Sequence, residues 1–419
     1  MLLPSWPNPN NFHHIDLNIE RVKNLLSRLN NPQLNLPPTI HVAGTNGKGS
    51  TLAFLKSIFN EAGYKVHRYT SPHLVNFNER IELADKIISD DMLIEILHEV
   101  EIASKIFPEI PVTFFEGTTV ASFVAFSRVN ADILLLETGL GGEFDATNVV
   151  DKPLCTIITT IDFDHQQYLG ETLSQIANAK AGIIKKDCLT ITTKQQQEVM
   201  EVIRNKTFQL NSNLVLAPDF IADKIDNLSE IKLGLNGTHQ LQNAILAMSC
   251  IMLQNKFLIS HQQILDGLLN ATWRGRLQKI NDENFLKLLP KNCQFYIDGS
   301  HNIQGVKTLK EFLNNFSKQK ISLIFSMLND KNYEDFLREI NENNNYQIAE
   351  IIFMPILNQP RAITIEEFSE VANKLKINFS IVNNFSQAFE RINQLSSQIT
   401  LLTGSLYLVA EFFKNFDVD

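Results

Sequence analysis

The sequence has little cysteine and nothing built on it. Its four cysteines, Cys155, Cys188, Cys250 and Cys293, lie far apart in 419 residues, with no CxxC pair and no histidine at zinc-ligand spacing. That pattern excludes a disulfide framework and a zinc module, and it is the pattern of buried or idle thiols in a reducing cytosol. Basic charge is also short, with 37 Lys and Arg against 46 Asp and Glu and a net charge of −9. No broad basic field is available to release counterions from a nucleic acid, so anionic ligands would need Lys and Arg gathered locally. No apolar run approaches the roughly 20 residues that span a bilayer. The opening MLLPSWPNPNN lacks a basic stretch followed by an apolar core, so no signal peptide is expected. No internal repeat is found, and Asn-rich stretches such as residues 341–345 are short, fitting genome bias or surface loops. The expected setting is cytoplasmic, with no nucleic acid and no membrane as partner.

What is present is an ordinary folded composition, 44% hydrophobic and 20% charged, at a length that suggests two to three domains. Apolar, β-branched runs at 39–43, 65–69, 132–137, 154–160 and 188–193 read as strands. Helical patterns fall between them at 48–61, from Ser89 onward, at 116–129 and at 171–185. Near-continuous Ile/Leu/Val strands separated by helices predict a parallel sheet covered on both faces. Two further helices, 239–254 and 260–270, lead to a basic stretch, ATWRGRLQKI. A second series of strands follows near 293–298, 321–327, 350–355, 377–382 and 399–403. The expected architecture is α/β in two domains, a larger one at 1–275 and a smaller, Rossmann-like one at 276–419. Ligands in such sheets sit at the carboxyl ends of the strands.

Residues 41–51 read HVAGTNGKGST, a glycine turn with one lysine between a predicted strand and a predicted helix. Glycines let a backbone approach a phosphate, and the following helix N-terminus offers N–H donors, so the pattern predicts a mononucleotide-binding loop. It departs from GxxxxGK[ST]: Val42 stands at the first-glycine position, and Gly49 follows Lys48. The hydroxyl of Ser50 is displaced by one residue, so other groups are needed to hold a metal. Three sit at predicted strand ends: Ser71 in TSPHL, Glu137 closing DILLLE before TGLGG, and His165 in TTIDFDH. A hydroxyl, a carboxylate and an imidazole there can converge on one Mg²⁺, although Mg²⁺ takes imidazole less readily than oxygen. Each has a competing reading: a Ser-Pro turn for Ser71, an exposed strand-end charge for Glu137, a structural histidine for His165.

As a set, these residues resemble the folylpolyglutamate synthase/dihydrofolate synthase ligases, relatives of the Mur ligases. The resemblance runs through HVAGTNGKGST, SPHL with Arg80-Ile81, TFFEGTT, LLETGLGGEFDATN, TTIDFDHQQYLG, IANAKAGII, LNGTHQLQNA, RGRLQ, DGSHN and TGSLYLV, in that order. It implies that the first domain is a Mur-type P-loop sheet. Asn46, Gly47, Lys48, Gly49 and Ser50 would hold the phosphates of ATP, with Asn243, Arg276 and Asp298 as further nucleotide contacts. Ser71, Glu137 and His165 would be Mg²⁺ ligands. Lys180 matches the lysine that this family carbamylates, giving an anionic oxygen ligand for a second Mg²⁺. Ala179 precedes it where the family usually has glutamate. His301, in DGSHN, matches the contact to the incoming glutamate. Ile15, Asp16, Leu17, Asn18, Thr113, Phe114, Phe115, Glu116 and Phe144 match segments that line the dihydropteroate site, with Asn18 replacing a frequent glycine. Local readings compete here too. IDLNIERVKNLLSRL is a plain amphipathic helix start, Arg276 fits a linker, His301 fits a helix cap, and Lys180 alone fits a helix surface.

The reaction implied is ATP-dependent ligation of L-glutamate to dihydropteroate and to the γ-carboxyl of tetrahydrofolate through an acyl phosphate, by a monomer. Lys48, Lys180 and His301 would be its catalytic groups. Four alternatives compete: folylpolyglutamate synthase activity alone, a Mur-type amino-acid ligase, a kinase or switch NTPase, and a non-enzymatic nucleotide-binding module. A Mur ligase carries a whole domain ahead of the loop, and the roughly 40 residues ahead of it here are too few for one. A switch has no need of Asp298 and His301 in a second domain, and the three-ligand metal set argues against a binding module.

Overall fold

ILLLE is apolar up to its last residue rather than alternating, as a strand covered on both faces must be. In the computed structural model, which describes residues 6–7, 18–225, 227–342, 345–357 and 359–418, Thr39–Ala43 and Ile133–Glu137 are strands with every residue buried. The chain divides into two compact units, one of Met1–Gly234 with Leu241–Thr272, the other of Leu235–Gln240 with Trp273–Asp419.

The first unit is built on an eight-stranded sheet of β1 (Thr39–Ala43), β2 (Val66–Tyr69), β3 (Ile81–Leu83), β4 (Lys86–Ile87), β5 (Ile133–Glu137), β6 (Cys155–Ile158), β7 (Leu189–Thr192) and β8 (Asn213–Leu216), in the order β4-β3-β2-β5-β1-β6-β7-β8. From β2 to β8 all pairings are parallel. Only the two pairings of β3, with β2 and with β4, are antiparallel, and β3 and β4 form a short hairpin at one edge that the sequence pattern did not predict. β1 lies centrally, with Val42 opposite Glu137 on one side and Ala43 opposite Ile158 on the other. The glycine turn after β1 therefore opens beside the ends of β5 and β6.

The helix Lys48–Glu61 buries Leu52, Ala53, Phe54, Leu55, Ile58 and Phe59. It packs against the helix His261–Asn270, where Gly267 makes the close approach possible: a Cβ there would lie 2.5 Å from Ile58 Cα. The helix expected at 116–129 starts at Phe114, because Thr113 and Glu116 close a capping box around its first turn.

The second unit carries β9 (Gln278–Ile280), β10 (Gln294–Ile297), β11 (Ile321–Phe325), β12 (Ile348–Phe353), β13 (Phe379–Ile381) and β14 (Ile399–Thr403), in the order β13-β12-β11-β14-β10-β9. All pairings but that of β9 are parallel. Phe285, Phe295, Phe385, Phe389, Phe412 and Phe416 interlock on one side of this sheet, largely edge to face. No helix among the described residues is long and apolar enough to cross a membrane.

Candidate active site

The glycine turn reverses the chain between β1 and the helix Lys48–Glu61. Gly47 sits at φ +90°, a left-handed conformation that glycine adopts at little cost, and a Cβ there would meet Asn243 Oδ1 at 2.4 Å. Asn243 itself is buried, on the helix His239–Leu253. Gly49 and Ser50 fall in the first helical turn, whose N–H groups have no acceptor within the helix.

Lys48 folds back over the turn, with Nζ 3.1 Å from Gly44 O and 3.2 Å from Thr45 O. Lys180, near the end of the helix Leu173–Ala181, reaches the same Gly44 O at 3.0 Å and is buried. Two lysines thus converge on one carbonyl. Burial, and then the charge of Lys48, push the Lys180 amine down to about 7, against the opposing pull of Asp164 and Asp145.

Glu137 ends β5 with its carboxylate buried, and it accepts the Ser71 N–H at 3.2 Å. The structure therefore brings Ser71 and Glu137 together. His165 follows β6 at φ +51°, where it begins the short helix Gln166–Leu169, and its Nε2 lies 3.8 Å from Asp164 Oδ2. Among the described residues, no group of three or more His, Cys, Asp or Glu is placed to hold a metal ion. A serine hydroxyl, a buried carboxylate and a carbamylated lysine would form an oxygen-rich donor set of the kind Mg²⁺ accepts.

The GLGG turn after Glu137 backs onto the Lys180 helix. A Cβ on Gly142 would lie 2.7 Å from the carbonyl oxygens of both Ala179 and Lys180, so only glycine permits this approach. Asp145, which the motif reading did not single out, holds the turn. Its carboxylate accepts the Leu140 N–H at 2.8 Å and the Thr147 N–H at 2.9 Å, and also bonds the Thr147 hydroxyl. Burial raises its pKa. Thr147 Oγ1 in turn lies 2.9 Å from His41 Nε2, which is 3.1 Å from the hydroxyl of Thr138. Asp145 stands inside LETGLGGEFDATN, so an acid three residues after the glycine turn was the available signal.

Of the segments matched to the pteroate site, Ile15, Asp16 and Leu17 lie outside the described residues. Asn18 caps the helix Ile19–Arg28, accepting the Glu20 N–H at 3.0 Å. Thr113 and Glu116 cap the helix Phe114–Arg128, and Glu116 is also paired with Arg21 at 2.9 Å. Phe114 is buried, and Phe115 covers Gly139, where a Cβ would lie 2.2 Å from the ring. Phe144 is 52% exposed.

In the second unit, Asp298 follows β10 and is buried. Its two carboxylate oxygens accept the Leu277 and Ser300 N–H groups, each at 2.8 Å. Arg276 lies beside Gly299, where a Cβ would be 3.3 Å from Nη1. His301 Nδ1 is 3.0 Å from Gly299 O, and Asn302 caps the helix Ile303–Leu313. His239 is a further member not expected from sequence. Burial lowers its pKa against the field of Asp298, and its Nδ1 is buried with no hydrogen-bond partner.

Compared with known proteins, residues 42–251 match the Mur ligase middle domain and residues 281–415 the C-terminal domain of dihydrofolate synthetase. The chain is 35% identical to the dihydrofolate synthase/folylpolyglutamate synthase of Bacillus subtilis, over 94% of each chain. It is 29% identical to the dihydrofolate synthetase of Saccharomyces cerevisiae, over 96% of this chain and 98% of that one. Among solved structures, E. coli FolC in complex with DHPP and ADP matches with a TM-score of 0.83 at 26% identity, over 96% of this chain and 94% of that one. The folylpolyglutamate synthase of Thermotoga maritima matches with a TM-score of 0.79 at 30% identity, over 97% and 95%. With both domain families matched in chain order and a curated relative aligned almost end to end, the chain belongs to the dihydrofolate synthase/folylpolyglutamate synthase family of Mur-type ligases.

Proposed function

We propose that this protein uses ATP to join L-glutamate to a pteroate or folate carboxylate, acting both as dihydrofolate synthase and as folylpolyglutamate synthase. The observation that carries the reading is the convergence of Lys48 and Lys180 on Gly44 O at a helix N-terminus, in a chain of this family. A carboxylate is a poor electrophile. Transfer of the γ-phosphoryl group breaks its bond to the β-phosphate, releases ADP and leaves an acyl phosphate. The glutamate α-amine then attacks the acyl carbon, a C–N bond forms, phosphate leaves, and the amine loses a proton. The chain's contribution is positional and electrostatic. Asn46, Gly47, Lys48, Gly49 and Ser50 hold the triphosphate, and Lys48 balances charge on the group in transit. Asn243, Arg276 and Asp298 are assigned to the nucleotide, and His301 to glutamate.

Ser71, Glu137, His165 and Lys180 would hold magnesium, which supplies charge neutralisation at the phosphates when bound. Lys180 is suited to carbamylation, because a buried amine whose pKa is about 7 is largely neutral at pH 8 and can attack CO₂, releasing one proton. The pteroate is assigned to Ile15, Asp16, Leu17, Asn18, Thr113, Phe114, Phe115, Glu116 and Phe144. The two domains are drawn at 1–275 and 276–419, and the protein is assigned as a cytoplasmic monomer.

The test is ATP hydrolysis measured with dihydropteroate or tetrahydrofolate, each with and without L-glutamate. Phosphate release that needs both substrates and yields an amide supports the reading, and release without glutamate refutes it. A carbamate carbon seen by NMR after addition of ¹³C-bicarbonate, and lost in Lys180→Arg, is the expected signature of the modified lysine.

A further inference from the structure

Thr159 is a buried residue that the mechanism above does not use. It follows β6, and its N–H is donated to Ala43 O at 2.8 Å. Its hydroxyl donates to Asn46 O at 2.8 Å, in the middle of the glycine turn, and lies 3.3 Å from Ala43 O. The next residue, Thr160, accepts the Thr45 N–H at 2.8 Å and the Asn46 N–H at 3.4 Å through its carbonyl. Thr45 Oγ1 donates to Asp162 O at 3.0 Å and accepts the Asp162 N–H at 3.1 Å. The segment 159–162 is itself anchored by Gln195, which bonds Thr159 O at 2.9 Å and the Ile161 N–H at 3.1 Å. Gly44 makes the approach possible, since a Cβ there would lie 1.8 Å from Thr159 Oγ1.

In a trans peptide, the carbonyl and the following N–H point in opposite directions. Fixing Asn46 O on Thr159 therefore aims the Gly47 N–H away from the buried side of the turn, at the start of the helix Lys48–Glu61. That is where a helix N-terminus holds a phosphate. Gly47 lacks a Cβ, so its own sterics do little to oppose turning this peptide over. The orientation has to be selected from outside the turn, and the Thr159 hydroxyl is placed to select it.

We propose that Thr159 is a positioning residue for nucleotide binding: its hydroxyl holds the Asn46–Gly47 peptide so that the Gly47 N–H faces the phosphates. The inference rests on the reading of residues 44–50 as the triphosphate site. The two are separated by titrating a non-hydrolysable ATP analogue with Mg²⁺ into the purified parent, Lys48→Ala, Thr159→Val and Thr159→Ser. Thr159→Val keeps the shape and removes the hydroxyl, so the analogue should bind about ten-fold or more weakly, with a matching rise in KM for ATP larger than any fall in kcat. Thr159→Ser keeps the donor and should stay within about three-fold of the parent. Thr159→Val binding as the parent does overturns the proposal while Lys48→Ala still fails to bind. A Thr159→Ser variant as weak as Thr159→Val also overturns it, because the methyl group would then be what matters. Should Thr159→Val not fold, Thr159→Cys, a weak donor of similar size, must bind more weakly than Thr159→Ser for the proposal to stand. Lys48→Ala binding as tightly as the parent removes the triphosphate site, and this inference with it.

Discussion

Acidification should destabilise the first unit through His41. The side chain is fully buried on β1, with Nε2 between the hydroxyls of Thr147 and Thr138 and Nδ1 without a hydrogen-bond partner. Burial, helped by the positive charge of Lys185, lowers its pKa to about 3. The unfolded chain takes up a proton near pH 6.5 while the folded chain does not. The contribution of neutral His41 is therefore complete above about pH 6.5, lost progressively as pH falls toward 3, and constant below that. One pH unit corresponds to about 1.4 kcal/mol. Two units below the unfolded pKa, at pH 4.5, the loss from this residue alone is about 2–3 kcal/mol.

The assay is urea unfolding of the parent and of His41→Gln at pH 7.5 and pH 4.5. Gln keeps an amide near the position of Nε2 but does not titrate, and the carboxylates common to both proteins cancel in the comparison. His41→Gln should be the less stable of the two at pH 7.5 and should close that gap by about 2–3 kcal/mol at pH 4.5. If the two proteins lose stability in parallel, His41 is not held neutral in the fold and the reasoning fails.

Gly47→Ala should cost about 1–2 kcal/mol of folding stability, from a left-handed backbone and the clash with Asn243, and should weaken ATP binding more than it lowers the melting temperature. Calorimetric titration alongside thermal unfolding checks both. Lys48→Ala and Glu137→Ala should each abolish ATP-dependent ligation with circular dichroism unchanged, and near-normal turnover in either variant refutes its assignment. Arg21→Ala leaves the buried Glu116 carboxylate without its ion-pair partner, so a loss of about 2–4 kcal/mol is expected in denaturant unfolding, with Arg21→Lys retaining much of it.

How much of this was legible in the letters depends on how local the cause is. The helix Lys48–Glu61 coincides with its expected span because a glycine turn and an apolar period define it within one stretch. The central parallel strands were legible as unbroken Ile/Leu/Val runs. The hairpin of β3 and β4 and the edge strands β8 and β9 were not, since runs of two to four residues at a sheet edge leave little period to detect. β6 ends at Ile158 rather than running to residue 160, because Thr159 and Thr160 turn their polar groups to the glycine turn.

By itself, the sequence determined the α/β class, the glycine turn between a strand and a helix, and the family, because each rests on residues that neighbour one another along the chain. It also supplied Lys48, Glu137 and Lys180 as candidates. Only the tertiary structure decided that Lys48 and Lys180, 132 positions apart, share one carbonyl, and that the Lys180 amine is pushed down to about 7 as a result of burial and that neighbour. The hydrogen-bond partners of Asp145, His41 and Thr159 were likewise decided in three dimensions. Desolvation and hydrogen bonding act through space, and no spacing in the chain encodes which threonine will face which carbonyl.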